Sequence, residues 1–538
     1  MGVLASLALS AQAEPGASLD PLAPKESPCF PVRRITLEGE ATNHFLWALE
    51  AAQRALDDRA DPAVPRCAGR ETIELITQRV QAALIEKGFV TTRVLVPAQE
   101  LGSGILRLAI LPGRVRAVRL ERDALGRGAL WNALPLQADQ ILNLRDIEQG
   151  LENFHRVPTV SADIQIEPSE PTTERRDVRP GDSDLSIRWS QRMPFRFGLS
   201  LDDSGARATG RTQGALTFSY DNALNLNDLF YVMVQGSLRG GSTGEGAGNA
   251  GHGTRGRVLH YSLPWGHWLL SLNASQQDYR QVVAGATQAY VYRGETRQQD
   301  LRLSRLFHRD AVSKTHLSLR GWSRHSGNFI DDTEIEVQKR RTAGWELGAQ
   351  HQRVLGAAAL SLGLAYRRGT GALRALAAPE EAFGEGVSRP RILAGDLAWS
   401  LPLGTGPSSI RYAVSANAQW TQQVLVAQDR FAIGGRYTVR GFDGETTLSA
   451  ARGRWFRQEL QGALGGSGQT LYLGLDHGEV GGAASDTLVG TRLTGGVIGV
   501  RGGLRNASWD LFAGRPLKKP EGLQTARRTA GFSVQLTF

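Results

Sequence analysis

Long apolar runs, cysteine and methionine are scarce in this sequence, and each scarcity narrows the classes of protein to which it can belong. Beyond the first residues there is no stretch of about 18 or more apolar residues, which excludes a transmembrane helix. A chain that resides in a membrane without such helices must form a closed β-barrel, the only other structure that satisfies every backbone polar group in lipid. Glycine is abundant, with 63 residues, whereas methionine numbers 3 and cysteine 2. Many short alternating strands would give this composition.

Motifs of catalysis and of cofactor or metal binding are also missing. Asp476-His477 suggests part of a hydrolytic triad, but no G-x-S-x-G sequence supplies a serine. The histidines are scattered without the spacing of metal ligands. The glycine pattern at residues 246–251 matches G-x-G-x-x-G, yet it lies in a predicted loop with no helix after it, so no dinucleotide site is expected. We predict a protein that is not an enzyme and has no metal or cofactor.

The formal net charge is +9, which raises the question of a nucleic-acid partner. No basic run is interleaved with aromatic residues, as a groove that stacks bases would need. The polar interior of a closed barrel, lined with arginine, explains the charge as well. No nucleic-acid partner is therefore predicted.

The amino end has the layout of an exported protein. Residues 2–10 are small and apolar, and Ala11-Gln12-Ala13 fits the cleavage site of a signal peptide, predicted over residues 1–13. A disordered apolar tail is the alternative, and the lack of a basic n-region is typical of a truncated or misassigned start. Residues 14–28 are rich in proline, alanine and serine and predict a flexible lead-in. Export would permit one disulfide, between Cys29 and Cys67, with two buried free thiols as the alternative.

Two small α/β domains are predicted next, over residues 29–113 and 114–192. In the first, a strand at 32–37 precedes helices at 43–57 and 71–87, and strands at 90–96 and 105–111 follow. The second repeats the pattern more loosely, with a strand at 115–120, a helix at 143–156 and strands at 162–166 and 184–190. A repeated β-α-α-β-β unit of this size is an internal repeat of an independently folding domain.

From residue 193 to residue 538 the pattern changes to alternation of apolar and polar residues. Phe195, Phe197, Leu199 and Leu201 alternate with polar or small residues, and the pattern recurs to the carboxyl end. About 16 runs have the length of a tilted membrane strand, and an even number without helices predicts an up-and-down barrel. A large soluble β-sandwich would also alternate, but the export signal, the long glycine-rich connections and terminal Phe538 favour the membrane barrel.

A long connection, residues 428–452, is predicted to fold into this barrel with Arg440 at its tip. In the late strand, Leu471, Leu473 and Leu475 share one face, which must face lipid because a carboxylate there would be costly. Asp476 therefore points into the lumen, where it can pair with Arg440. The alternative is that both are ordinary solvated charges, since exposed ion pairs contribute little.

These residues resemble the TpsB transporters of two-partner secretion, the haemolysin/haemagglutinin secretion-activation type of the POTRA-barrel superfamily. Val439-Arg440-Gly441-Phe442 is similar to the family's VRG(F/Y) loop motif, and the run from Gly474 through Asp476 to Gly478 is similar to its strand motif ending in D-x-G. Residues 88–93, 99–101 and 112–113 resemble the first POTRA domain, and residues 221–229 the early barrel hairpin. The resemblance covers about residues 29–538.

The resemblance implies two periplasmic POTRA domains that capture an unfolded exported partner, and a barrel in the outer membrane of a Gram-negative bacterium that passes it outward. It also implies pairing of Arg440 with Asp476. The partner would be a large secreted TpsA-like adhesin, cytolysin or toxin, and the barrel would contact outer-membrane lipid. Two features depart from the family: Gly474 stands where the superfamily often has phenylalanine, and residues 14–28 are short for the plug helix of some members.

Two other functions are compatible with parts of the pattern. An outer-membrane insertase shares the loop and strand motifs, but it has several POTRA domains rather than two. A passive porin has no use for about 180 periplasmic residues, roughly one or two domains of ordinary size.

Overall fold

A computed structural model describes residues 27–58, 67–121, 129–170, 178–238, 252–404, 406, 409–483 and 485–538. The predicted signal peptide, nearly all of the lead-in and the glycine pattern at 246–251 lie outside these residues. The chain divides into two compact units. One comprises Met1–Ala117, Ala138–Leu144 and Glu167–Asp184, and the other Val118–Gln137, Arg145–Ile166 and Leu185–Phe538.

The first unit contains an α/β domain. Its elements are β1 (Phe30–Pro31), β2 (Arg34–Gly39), α1 (Thr42–Phe45), α2 (Leu49–Asp58), β3 (Cys67–Ala68), α3 (Arg70–Glu86), β4 (Arg93–Leu95) and β5 (Ile105–Leu111), with 3₁₀ turns at Leu46–Ala48 and Leu101–Ser103. The sheet has the order β2-β5-β4, with β5 parallel to β2 and antiparallel to β4. Ile76, Val80 and Leu84 form the buried stripe of α3, as their spacing predicts.

The second set of α/β elements is β6 (Val115–Leu120), α4 (Leu130–Ala133), α5 (Leu144–His155), β7 (Val160–Pro168) and β8 (Ser183–Gln191). The three strands form a sheet in the order β6-β8-β7. Phe154 of α5 packs with Ile187 and Trp189 of β8 in a core that excludes water. Among the described residues, the first helix of this repeat is the single turn α4, which ends before Pro135, a residue with no N–H to continue a helix.

The remaining strands build the barrel and one hairpin inside it. They are β9 (Phe195–Asp202), β10 (Gln213–Asp221), β11 (Leu229–Ser237), β12 (Gly253–Trp265), β13 (Trp268–Ala284), β14 (Ala289–Arg309), β15 (Ser313–Ile330), β16 (Thr333–Glu334), β17 (Arg340–Leu355), β18 (Ala358–Thr370), β19 (Arg391–Pro402), β20 (Ile410–Trp420), β21 (Phe431–Ile433), β22 (Leu448–Ala450), β23 (Arg452–Ala463), β24 (Thr470–Gly481), β25 (Arg492–Leu504), β26 (Ala507–Lys518) and β27 (Thr529–Thr537). Short 3₁₀ turns lie at Glu336–Gln338, Ala372–Arg374, Pro379–Phe383, Ala427–Asp429 and Gly465–Ser467.

The barrel closes by antiparallel pairing of β27 with β9. Apart from the two-residue β16 and the separate hairpin of β21 with β22, 16 long strands form the wall. The predicted fold class, α+β domains followed by an all-β barrel of about 16 antiparallel strands, is confirmed.

The two faces of the wall differ as the alternation predicts. On β9, Phe195, Phe197, Leu199 and Leu201 are exposed on the outside of the barrel. Large aromatic side chains are also exposed near the strand ends that carry the short turns, at Trp265, Phe307 and Phe538. An apolar band bordered by aromatic residues is typical of a barrel in a membrane. Among the described residues, no helix is both long and apolar enough to cross a bilayer.

Candidate functional site

The connection between β20 and β23, residues 421–451, folds back against the inner wall, close to the predicted bounds of 428–452. Strands β21 and β22 pair within it and make it a hairpin. Its apolar side chains form a buried cluster with wall residues. The members are Phe431, Ile433, Val439, Phe442, Leu448, Ala450, Val480, Leu493 and Leu523. This hairpin is called the inward loop below, and its apolar contacts place its charged tip beside β24.

Arg440 and Asp476, which the sequence analysis paired, meet in the structure. The guanidinium donates from Nε to Oδ2 and from Nη2 to Oδ1, each at 2.7 Å, and the Arg440 backbone N donates to Oδ2 at 2.9 Å. The two residues are 7% and 0% exposed. A buried bidentate pair is shielded from water and salt, so these charges differ from solvated lumen charges.

Glu459 of β23 completes the pairing of Arg440. Its carboxylate contacts Nη1 of Arg440, and its other oxygen accepts from Nη2 of Arg501 at 2.8 Å. The sequence analysis missed Glu459, because a carboxylate facing the lumen on an alternating strand looks like any other. Its position opposite Gly474, which the strand pairing shows, places it beside the Arg440 guanidinium.

Arg457, on the same strand, holds the loop backbone. Its Nε donates to the carbonyl of Thr438 and its Nη2 to the carbonyl of Arg436, each at 2.6 Å. Nε also lies 3.7 Å from Asp476 Oδ2. The carboxylate of Asp476 thus faces two cations, and one of them binds the loop through peptide carbonyls alone.

Two glycines of the strand motif leave space for the loop. A Cβ on Gly474 would lie 2.8 Å from Nη2 of Arg440, and one on Gly478 would lie 2.6 Å from Cγ2 of Val439. The departure noted at Gly474 therefore has a physical reason here, since the space that a side chain would fill holds the guanidinium.

Glycine is also required where the loop backbone touches the wall. Gly441 has φ of +94°, and a Cβ on it would overlap the backbone of Arg515. A Cβ on Gly495 of β25 would overlap the carbonyl oxygen of Arg440. Val439 and Phe442, which flank Arg440 and Gly441, are buried in the apolar cluster. All four residues of the loop motif are thus in contact with the wall.

The arrangement can hold a loop on the wall. His477 is on the exposed face of β24, where Nδ1 lies 3.0 Å from Thr494 Oγ1, and so it points away from Asp476. Within the described ranges, no cluster of three or more His, Cys, Asp or Glu side chains is placed to hold a metal ion.

The cysteines lie in the first α/β domain. Cys29 and Cys67 are joined by a disulfide with their Cα atoms 5.6 Å apart. The bridge lies beside the short pairing of β1 with β3. It ties the start of the domain to the segment that leads into α3.

The same domain carries an open groove of about 1040 Å³ between α3 and β4. Ile73, Ile85 and Val96 supply apolar lining, and Ile85 and Val96 are 45% and 41% exposed. At its floor, Gln81 of α3 covers the outer edge of β4. Its amide donates to the Thr92 carbonyl at 2.9 Å and accepts from the Val94 N–H at 3.1 Å.

Helix α5 is attached to the turn between β14 and β15 by ion pairs. Glu152 accepts from Arg309 Nη1 at 2.7 Å and from Lys314 Nζ at 2.9 Å. Arg309 Nε also donates to Glu148 at 3.2 Å. Burial alone would raise the pKa of Glu152, but the two cations outweigh it and hold that pKa below its usual value. We call these four residues the docking cluster.

Comparison with known proteins identifies the family. Residues 181–502 match the family described as haemolysin secretion/activation protein ShlB/FhaC/HecB. The chain belongs to this family. Residues 30–113 match the ShlB-type POTRA domain and residues 114–168 a POTRA domain. ShlB/FhaC/HecB proteins are outer-membrane transporters of two-partner secretion, not enzymes, and their POTRA domains are periplasmic.

Relatives extend the match over nearly the whole chain. The outer membrane transporter CdiB-2 of Burkholderia pseudomallei strain 1026b is 35% identical over 535 residues, with 96% of this chain and 88% of the relative covered. The hemolysin transporter protein ShlB of Serratia marcescens is 25% identical, with 87% and 78% covered. The solved structure of CdiB from Acinetobacter baumannii is similar with a TM-score of 0.81 and 30% identity, covering 98% and 95%. Two-partner secretion transporters of this kind serve a secreted partner.

Proposed function

We propose that this chain captures an unfolded exported partner with its POTRA domains and passes it outward through the barrel without nucleotide hydrolysis. The observation that carries the proposal is the buried contact of Arg440 with Asp476 and Glu459, which holds the inward loop on the wall of the polar lumen. In this proposal the loop is held in its working position by ionic contacts that cost no chemical energy. Folding of the partner outside the cell would make its passage one-way.

The groove of the first POTRA domain supports capture of an extended chain. Its exposed Ile85 and Val96 offer apolar contacts, and β4 is an edge strand of its sheet. A peptide can therefore lie along the α3 groove or add a strand at β4. Because Gln81 already pairs with the Thr92 carbonyl and the Val94 N–H, strand addition there requires that Gln81 move away.

Two variants separate these modes of capture. If the partner adds a strand, Gln81→Leu removes a competitor and tightens binding of the partner's amino-terminal fragment severalfold. If the partner lies along the groove, Gln81→Leu changes little, whereas Ile85→Glu weakens binding about tenfold or more by placing a charge in an apolar contact. Exposed Glu50→Gln on α2 is the control. Binding of the partner's amino-terminal fragment to the full-length transporter, measured by fluorescence anisotropy, decides between the two modes. If neither variant changes this binding, capture at this domain is contradicted.

The function itself is tested by deleting the gene and comparing proteins of the medium, the cell surface and the outer membrane by mass spectrometry. Loss of one large exoprotein from the medium or surface, with other barrels intact, is the expected result. That exoprotein would be the TpsA-like adhesin, cytolysin or toxin that this transporter serves. General depletion of outer-membrane barrels would instead indicate an insertase, an alternative with less support because the matched family consists of secretion transporters.

A further inference from the structure

The strand pair that closes the barrel is short. Strand β27 and β9 share five register partners, from Ser533 opposite Asp202 to Thr537 opposite Gly198, whereas β10 and β11 share nine. Beyond Thr537, Phe197 and Phe538 exchange backbone bonds of 3.0 and 2.8 Å. At the opposite end, where Asp203 faces Phe532, the regular ladder stops. The pairing of β9 with β27 is called the seam below.

At that end one backbone hydrogen bond remains, from the Asp203 N–H to the Phe532 carbonyl at 3.4 Å, and side chains supply the other contacts. The Phe532 N–H donates to the carboxylate of Asp203 at 2.9 Å, rather than to a backbone carbonyl. The same carboxylate oxygen accepts from Nη1 of Arg436 at 3.0 Å, and Nη2 of Arg436 donates to the Phe532 carbonyl at 3.3 Å. The Arg436 side chain is 18% exposed and that of Asp203 is 13% exposed. One arginine of the inward loop therefore binds both strands of the seam.

Two further contacts of the loop tip reach the connections on either side of the seam. Asp443 accepts from the Ala526 N–H at 2.9 Å and from Thr525 Oγ1 at 3.0 Å, just before β27. Glu445 accepts from the Arg207 N–H at 3.0 Å, just after β9. The loop tip thus spans the seam with three side chains.

We propose that Arg436 is a positioning residue through which the inward loop clamps the seam, so that release of the loop tip loosens the pairing of β9 with β27. Arg436 is also joined to the Arg440 site, because its carbonyl accepts from Arg457, which faces Asp476. Contacts therefore run without a break from the seam to the Arg440 site, through hydrogen bonds as far as Arg457 and then through its ion pair with Asp476 at 3.7 Å. This inference goes beyond the proposed function, and its test needs no secreted partner.

The test is hydrogen–deuterium exchange of the full-length transporter in lipid nanodiscs. Arg436→Met keeps the length of the side chain without its charge and donors. We expect backbone exchange in residues 198–203 and 529–537 to rise about tenfold or more, as for the loss of a charge-assisted hydrogen bond. Asp203→Asn should give a smaller rise at the same peptides, since an amide oxygen still accepts from Phe532.

The matched control is Arg324→Met. Arg324 of β15 donates to Asp429 at 2.7 Å and holds the base of the same loop on another part of the wall. It should loosen residues 425–430 and leave the seam at the parent rate. If Arg436→Met leaves seam exchange unchanged, or if Arg324→Met raises it equally, the clamp does not exist.

Should Arg436→Met fail to assemble, the charge-swapped pair Arg436→Asp with Asp203→Arg provides the second test. Restored assembly and seam protection in the swap, against loss in Arg436→Asp alone, supports a direct contact. Equal loss in both overturns it.

Discussion

At the scale of single residues, the inward loop depends on a few buried charges whose partners are fully specified. Asp476 is 0% exposed and accepts three hydrogen bonds from Arg440. Removing one member of a buried ion pair costs more than the pair contributes, because the remaining charge stays desolvated. The strongest effects on the loop should therefore come from removing one charge.

Asp476→Asn should release the inward loop. The substitution removes the negative charge that neutralises the guanidinium groups of Arg440 and Arg457. The loss should weaken docking of the loop on the wall by about 3 kcal/mol. Hydrogen exchange in residues 434–447 should rise, and secretion of the partner should fall with the barrel still assembled. Arg440→Ala, which removes the other member of the pair, should have the same effect. Asp486→Asn, at an exposed position after β24, is the control. Normal secretion by Asp476→Asn and by Arg440→Ala would exclude a role for the pair in transport.

Gly474→Ala should displace the Arg440 guanidinium. The added methyl would meet Nη2 of Arg440 and Cγ1 of Val497 within 2.8 Å, an overpacking that costs about 1–3 kcal/mol. Gly462→Ala on neighbouring β23 is the matched control, because nothing lies within 4 Å of its new methyl. Exchange of the loop peptides should rise in the first variant and stay unchanged in the second; equal rates in both would show that Gly474 does not reserve this space.

At the scale of elements, the sequence predicts strands well and their ionic partners poorly. The alternation from Phe195 to Leu201 shows which face is apolar, because a strand has a period of two. The same alternation places Glu459 and Arg457 among many charges of the interior, and Arg436 lies on the inward loop outside any strand. Nothing in the local sequence distinguishes these three residues from other charges. Asp476 stood out through the phase of its strand and Arg440 through its place on the long connection, and the family motifs supported their pairing. The clamp on the seam joins residues 203, 436 and 532, whose proximity follows from closure of the whole barrel.

The attachment of helix α5 through the docking cluster should weaken in acid. The cations Arg309 and Lys314 hold the pKa of Glu152 below its ordinary value of 4.5. Its stabilising contribution is therefore complete above about pH 4.5 and is lost as the pH falls through the lower folded-state pKa. Spin labels at His155 and Val312 should show a narrow distance distribution at neutral pH that broadens in acid.

The matching variant is Glu152→Gln, which should give the broad distribution already at neutral pH. Exposed Glu50→Gln on α2 should leave the distribution narrow. If neither acid nor Glu152→Gln changes the distance distribution, apolar packing alone holds α5 in position.

At the scale of the whole molecule, the periplasmic and membrane parts should respond independently to loss of the disulfide. Cys29 and Cys67 are separated by 38 residues, and closing a loop of this length stabilises a fold by about 3–4 kcal/mol. Cys29→Ser with Cys67→Ser should therefore raise exchange across residues 30–113, measured on the full chain. The heat-modifiable migration of the barrel should remain that of the parent. Unchanged protection of the domain would mean that its core suffices without the bridge.

The wall of the barrel is not equally tall all round, and this affects the outer rim. Strands β9, β10 and β11 have 8, 9 and 9 residues, whereas β13, β14 and β15 have 17, 21 and 18. A strand of 21 residues is about 70 Å long, which at a tilt of about 45° rises about 50 Å, beyond a hydrocarbon core of about 30 Å. Because aromatic residues mark the periplasmic ends, the excess stands in water outside the cell. The outer rim is thus bordered on one side by a free-standing sheet, and in the proposed transport a chain leaving the pore would meet polar β-structure there before it meets the membrane surface.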